Sequence, residues 1–107
     1  MTMKEFKREG FWYSPQKPEY PIPEAKDKPF EGQADFLTAL YDIEDRANVI
    51  HYRGWSTCRI CGKPNGSAEF EYRGWRWPSG YRHYVAEHNV RPSSAFEEFV
   101  FKTVNKR

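Results

Sequence analysis

The segment Cys58-Arg59-Ile60-Cys61-Gly62, followed by His83-Tyr84-Val85-Ala86-Glu87-His88, decides how this chain is interpreted. It contains the only two cysteines and two of the three histidines of the sequence. Two thiolates with two residues between them, and two imidazoles with four between them, match the ligand types and spacings of a tetrahedral zinc site. Four protein ligands leave no coordination position for water or substrate, so the pattern predicts a structural Zn²⁺. Its predicted ligands are Cys58, Cys61, His83 and His88.

The residues around these four are consistent with that prediction. Gly62 follows the second cysteine, where the chain of a metal-binding turn usually needs a positive φ. Five positions separate His83 from His88, which places them about 140° apart around an ideal helix. Both can bind one ion only if His88 lies in a loosened last turn, and Asn89 favours the left-handed conformation that ends helices.

Two other interpretations of the cysteines stay open at this point. They could form a redox-active pair, or they could be ordinary buried thiols. A redox pair of the thioredoxin type precedes a long helix, whereas Pro64, Asn65 and Gly66 favour a turn here. The remaining histidine, His51, lies in an aromatic, strand-like segment, and we predict a packed side chain there rather than a ligand.

The size and composition of the chain indicate one small domain with an aromatic core. The chain has 107 residues, of which 38% are hydrophobic and 18% aromatic. A core of this size is modest, so a bound metal would contribute substantially to stability. Met1 to Gly10 is charged and lacks the apolar stretch of a secretory signal, and no segment has the length of a membrane span. With cysteines in metal-ligand spacing, we expect a cytoplasmic protein with no membrane contact.

The pattern of residues predicts an α+β fold with a short antiparallel hairpin and about three helices. Residues 1–32 read as an extended arm rich in proline and aromatic residues, and residues 33–107 as one zinc-binding domain. We expect the arm to pack across its own domain. Predicted helices cover residues 33–47, 79–88 (with Ser79 as N-cap) and 95–104 (with Ser94 opening a capping box). Predicted strands cover residues 49–55, 68–72 and 75–77, with a turn at 64–67.

A repeated tetrapeptide and a local excess of arginine suggest a binding surface. Tyr52-Arg53-Gly54-Trp55 recurs as Tyr72-Arg73-Gly74-Trp75, and residues 46–91 hold eight basic but three acidic residues. Exposed arginine and aromatic side chains could stack on a nucleobase or bind a peptide. The competing interpretation is that the arginines stack on rings or pair with acids within the fold. The candidate surface consists of Trp55, Arg73, Trp75, Arg76, Trp77 and Arg82.

The order of strand, cysteine turn, hairpin and ligand-bearing helix over residues 49–91 resembles a treble-clef or expanded zinc finger. Cys58 to Gly62 is similar to the zinc knuckle of those domains, and His83 and His88 match the positions of the ligands on their helix. The resemblance implies a structural zinc. Twenty-one residues separate Cys61 from His83, compared with about twelve in a finger that reads DNA sequence, so sequence-specific DNA recognition is not implied.

A second resemblance would make the chain an enzyme. The segment Cys58-Arg59-Ile60-Cys61-Gly62-Lys63, with Glu87-His88-Asn89-Val90-Arg91-Pro92, is similar to the opening of an HNH-type nuclease, in which His88 would be the general base. That family also uses a later asparagine and histidine, and a second cysteine pair. Fifteen residues follow Pro92, and they include no histidine or cysteine.

We therefore expect a non-enzymatic, zinc-binding interaction module that recognises a protein. Nucleic-acid binding through the arginine and tryptophan surface is the main alternative, and an HNH-like nuclease is the remote one. The sequence assigns no catalytic residue, and it leaves the oligomeric state and the identity of the partner open.

Overall fold

A computed structural model describes residues 6–104, which form an α+β fold with three helices and a four-stranded sheet. The strands are β1 (Lys7–Arg8), β2 (Asn48–Thr57), β3 (Pro64–Tyr72) and β4 (Trp75–Pro78). The helices are α1 (Gln33–Arg46), α2 (Tyr81–His88) and α3 (Ser94–Val104). The predicted fold class is confirmed. No helix within residues 6–104 combines the length and the apolar character that crossing a membrane requires.

The sheet has the spatial order β1-β4-β3-β2. Strands β2, β3 and β4 pair antiparallel in sequence order, and β1 adds to β4 in parallel. Strand β3 is longer than predicted because the expected turn at residues 64–67 is extended and pairs with the end of β2. Strand β2 is an edge strand and most of its residues are exposed, including His51, so the prediction that His51 packs in the fold is wrong.

The core lies between one face of the sheet and the three helices. Phe36, Leu40 and Ile43 of α1 are fully buried, at the three- and four-residue spacing that the sequence predicted. Trp77 of β4 is fully buried, and its ring centroid lies 5.4 Å from that of Phe96 of α3. Aromatic rings thus fill much of the interior, as the composition indicated.

Two helix starts differ from the predictions. Ser79 does not cap α2; instead, its hydroxyl accepts a hydrogen bond from the amide of Ala68 on β3. Helix α3 is capped by Ser93 rather than Ser94, because the Ser93 hydroxyl accepts the Phe96 amide. The carboxylate that completes this cap belongs to Glu9, which accepts the amide and hydroxyl of Ser93. Long-range packing supplied a partner that the local capping-box pattern could not indicate.

The N-terminal arm contacts the domain along much of its length. Strand β1 pairs with β4, and the Trp12 ring lies edge-on to Tyr84 of α2 with ring centroids 5.6 Å apart. Farther along, the Lys26 amide donates to the carbonyl of His88 over 3.0 Å. These contacts bring the arm beside the C-terminal end of α2. The boundary between arm and domain at residue 32 stays a prediction.

Candidate metal centre

The four predicted metal ligands converge at one end of the molecule. Ligand atoms of Cys58, Cys61, His83 and His88 all lie within 4.8 Å of one another. The Cys61 Sγ and the His83 Nε2 are 3.3 Å apart, and the two imidazole centroids are 5.0 Å apart. Zn–S bonds of about 2.3 Å and Zn–N bonds of about 2.0 Å would separate tetrahedral donors by about 3.3–3.8 Å. The Cys61–His83 pair matches this range, and the 4.8 Å limit for the whole set is about 1 Å wider, so the cluster is compatible with a four-coordinate metal site.

The cysteine turn between β2 and β3 holds the Cys58 sulfur close to backbone amides. The amides of Ile60 and Cys61 lie 3.4 and 3.5 Å from the Cys58 Sγ. Gly62 has the predicted positive φ, 76°, and donates its amide to the Cys58 carbonyl over 2.9 Å. Amide donors of this kind are common partners of a metal-bound sulfur.

Helix α2 supplies the two imidazoles in the way that their spacing predicted. His83 lies in the first turn of the helix and His88 is its last residue. Asn89 then adopts φ 55° and ψ 32°, and the amides of Asn89 and Val90 both donate to the carbonyl of Tyr84. This left-handed end loosens the last turn, which lets His88 approach the same point as His83.

The state of the donor atoms provides a separate test of whether the residues fit a metal. The His88 Nε2 is buried and has no hydrogen-bond partner within residues 6–104, although a buried polar atom normally has one. Burial, together with the neighbouring His88 ring, lowers the pKa of His83 and so favours the neutral form that can bind a metal. A metal ion would give the buried nitrogen of His88 a partner, so the four residues fit a bound metal.

Surrounding residues fix the cluster to the fold. The Tyr84 hydroxyl accepts a hydrogen bond from the amide of Arg59, one of the two residues between the cysteines of the turn. Cys58, Tyr84 and Val90 form a small buried cluster, separate from the main core. Lys26 and Gln33 contact the end of α2 through the His88 carbonyl and the Asn89 side chain. Apart from these contacts, few apolar residues hold this end together.

The predicted arginine and tryptophan surface does not exist as one surface. Trp75 and Trp77 are buried in the core, so their prediction as surface residues is wrong. Arg76 pairs with Glu71 over 2.7 Å, and Arg82 with the buried Glu44 over 3.1 Å. Trp55 and Arg73 are exposed, but they occupy separate positions on β2 and in the β3–β4 turn. Arg76 and Arg82 therefore agree with the competing interpretation, in which arginines pair with acidic residues within the fold.

Glu44 is a buried ionisable group that the sequence reasoning missed. It is buried at the end of α1, accepts a 2.8 Å hydrogen bond from the Trp77 indole and pairs with Arg82. Burial raises its pKa from 4.5 to about 7, although the Trp77 hydrogen bond and Arg82 lower it. The only sequence signal for the burial of Glu44 was its position at the end of an otherwise apolar face of α1.

A groove beside the metal centre was also missed. It encloses about 490 Å³ between the arm and the bulged part of β2. We call it the arm–knuckle groove and define it by Arg8, Phe11, Lys17, Tyr52, Trp55 and Arg59. Three of these residues lie within the first seventeen residues of the chain and three lie between residues 52 and 59. A pattern confined to one short segment could not indicate that the two groups face one groove.

Comparison with known proteins identifies no relative: no family model, curated protein or solved structure matches this chain.

Proposed function

We propose that this protein is a non-enzymatic interaction module whose fold depends on one structural zinc ion. The single observation that carries the proposal is the convergence of Cys58, Cys61, His83 and His88 within 4.8 Å. Two thiolates and two imidazoles suit zinc better than magnesium or calcium, which prefer oxygen ligands. A closed set of four protein ligands suits a structural role rather than a catalytic one.

The position of the cluster explains what the ion would stabilise. The cysteine turn belongs to the β2–β3 connection and the histidines belong to α2, with twenty-one residues between Cys61 and His83. Zinc would connect these two segments where little apolar surface is buried, and its binding free energy would contribute to folding. In this arrangement His88 serves as a ligand, so the imidazole at the position of an HNH-type general base is not free to act as a base.

A protein is the partner that the charges favour. Arg46, Arg76, Arg82 and Arg91 each pair with a carboxylate, so half of the eight basic residues between positions 46 and 91 are compensated. The net charge of the chain is only +2. Affinity for nucleic acid comes mainly from many uncompensated contacts to phosphate, and these features offer few of them.

Cobalt substitution tests the metal site directly. Reduced, metal-free protein should bind one equivalent of Co²⁺, with the absorption bands of tetrahedral cobalt and of thiolate-to-metal charge transfer. Added Zn²⁺ should displace the bound Co²⁺. Cys61→Ser and His88→Ala should abolish or alter this spectrum, whereas His51→Ala, an exposed histidine outside the cluster, should leave it unchanged. Octahedral cobalt in the unaltered protein, or an unchanged spectrum in both ligand variants, would refute the site.

A further inference from the structure

The arm–knuckle groove contains positive charges that the fold leaves uncompensated. The Arg8 guanidinium lies 5.4 Å from the Phe11 ring centroid, and Arg59 donates to oxygens of Tyr13 and Thr57, all of which are neutral. Lys17 is exposed. Within residues 6–104, none of these three cations forms an ion pair with a carboxylate, unlike Arg46, Arg76 and Arg82.

The acidic residue that also lines the groove does not change this balance. Glu69 faces Arg76, whose Nε lies 3.9 Å from the Glu69 Oε1. The groove therefore has a positive rim, and a ligand with negative charge would complement it.

The wall of the groove also has exposed aromatic surface. Trp55 is 70% exposed and has no aromatic partner among the described residues, whereas Trp75 and Trp77 each stack within the core. Tyr52 is 47% exposed beside it, and Phe11 forms the opposite wall. A large indole that faces solvent beside a concave surface is typical of a residue that anchors a partner.

We propose that the arm–knuckle groove binds an extended acidic peptide segment of a partner protein. The aromatic or proline side chains of the peptide pack on Trp55 and Tyr52. The carboxylates of the peptide bind Lys17, Arg8 and Arg59. A volume of about 490 Å³ holds a few residues of an extended chain. Among residues 6–104, three uncompensated cations line the groove, which is enough for a short acidic segment but few for a nucleic acid strand.

The proposal rests on the proposed function, because the metal site holds one wall of the groove. Arg59 lies between Cys58 and Cys61, and it bonds to Tyr13 of the arm and to Thr57 at the end of β2. Zinc bound to the two cysteines would fix the turn that carries Arg59. The groove residues Trp55 and Lys17 are not ligands, so changing them separates peptide binding from metal binding.

The test uses zinc-loaded full-length protein and a fluorescein-labelled peptide library. Its nine-residue peptides carry Asp or Glu at every second position, with Trp, Phe, Leu or Pro between. A matched library replaces the acids with Asn and Gln, and a ten-nucleotide oligothymidylate represents nucleic acid. Fluorescence anisotropy should show that the acidic library binds at least about tenfold more tightly than either probe, and that added salt weakens its binding.

Two groove variants with matched controls complete the test. Trp55→Ala and Lys17→Glu should each weaken binding of the acidic library about tenfold or more. Tyr41→Ala, an exposed aromatic on α1, and Lys28→Glu, an exposed lysine, lie outside the groove lining and should leave binding unchanged. Native mass spectrometry of every sample measures the zinc content independently of peptide binding. A failure of the metal site is thereby distinguished from a failure of peptide binding. Equal binding of the acidic and amide libraries, tighter binding of oligothymidylate, or wild-type affinity in both groove variants would overturn the proposal.

Discussion

The two copies of Tyr-Arg-Gly-Trp have the same sequence and different structures. In the second copy, Tyr72 pairs with Trp75 around a two-residue turn in which Arg73 and Gly74 have φ 45° and 87°. In the first copy, residues 52–55 bulge from β2 between His51 and Ser56, whose partners on β3 are only two positions apart. Trp75 is 7% exposed and Trp55 is 70% exposed. One tetrapeptide thus forms a hairpin turn above the core and an open wall beside the candidate metal centre.

The difference shows that the neighbours of the tetrapeptide decide its structure. The second copy leads into Trp77, α2 and α3, so Phe96 and Phe99 cover Trp75 at centroid distances of 5.1 and 5.5 Å. The first copy leads into the cysteine turn on an edge strand, and no helix of the described part of the chain covers Trp55. The end that carries the second copy is stable through packing. For the end that carries the first copy, we expect stability to depend on the four ligand residues.

Metal removal should separate the two copies most strongly. After chelation of zinc-loaded protein, we expect amide protection to fall by about 3 kcal/mol or more in residues 55–63, because the buried cluster at that end is small: three buried side chains with Trp12 packed against them. Protection of residues 70–78, in the hairpin above the core, should fall much less. Hydrogen exchange with peptide-level mass spectrometry measures both. Equal loss at the two ends would show that the metal supports the whole fold rather than this end.

Truncation of the two tryptophans should give the next largest contrast. Trp75→Ala removes a buried ring that packs on Phe96 and Phe99, so the free energy of unfolding should fall by about 3–5 kcal/mol. Trp55→Ala should change it by less than about 0.5 kcal/mol because the ring is exposed. Urea denaturation of the zinc-loaded proteins measures both values. Similar losses in the two variants would mean that the copies have equivalent environments.

The two glycines of the repeat form a matched pair. Gly74→Ala places a side chain at φ 87° and should cost about 1–2 kcal/mol of stability. Gly54 does not have a positive φ, and a Cβ there would meet no atom within 4 Å, so Gly54→Ala should be neutral or slightly stabilising. Thermal unfolding of the two variants, each zinc-loaded, checks the order. A larger loss for Gly54→Ala would contradict the assignment of turn and bulge.

The smallest effect concerns pH. The pKa of Glu44 is about 7 in the fold, above its usual 4.5, so the stability from its protonated form is complete below about pH 4.5 and is lost as pH rises through 7. Relative to Glu44→Gln, the wild-type protein should lose about 1 kcal/mol of stability between pH 6 and pH 8. The difference between the two proteins removes contributions from other groups, including the metal ligands. A constant difference across this range would place the pKa of Glu44 near its usual value.

Patterns confined to short segments predicted much of this molecule. The apolar spacing in α1, the left-handed Asn89 after α2 and the positive φ of Gly62 all follow from local conformational preferences, and they appear as expected. The four ligand residues could also be grouped from their types and spacings alone.

Features that need distant residues could not be predicted. Glu9 completes the cap of α3 from eighty-four positions away, and Glu44 meets the Trp77 indole from another element. The burial of Trp75 and the exposure of Trp55 depend on which strand lies at the edge of the sheet, and the repeated tetrapeptide carries no information on that. The same limit hid the arm–knuckle groove, whose walls come from two separate segments.

The most direct test of the central claim is native mass spectrometry of protein purified without added metal. The account predicts one zinc per chain in the wild type and in His51→Ala, and none in Cys58→Ser or His83→Ala. It also predicts that Trp55→Ala keeps its zinc, because the first tetrapeptide copy adjoins the site without supplying a ligand. Wild-type protein that is fully folded with no bound zinc, or zinc retained by both ligand variants, would contradict it.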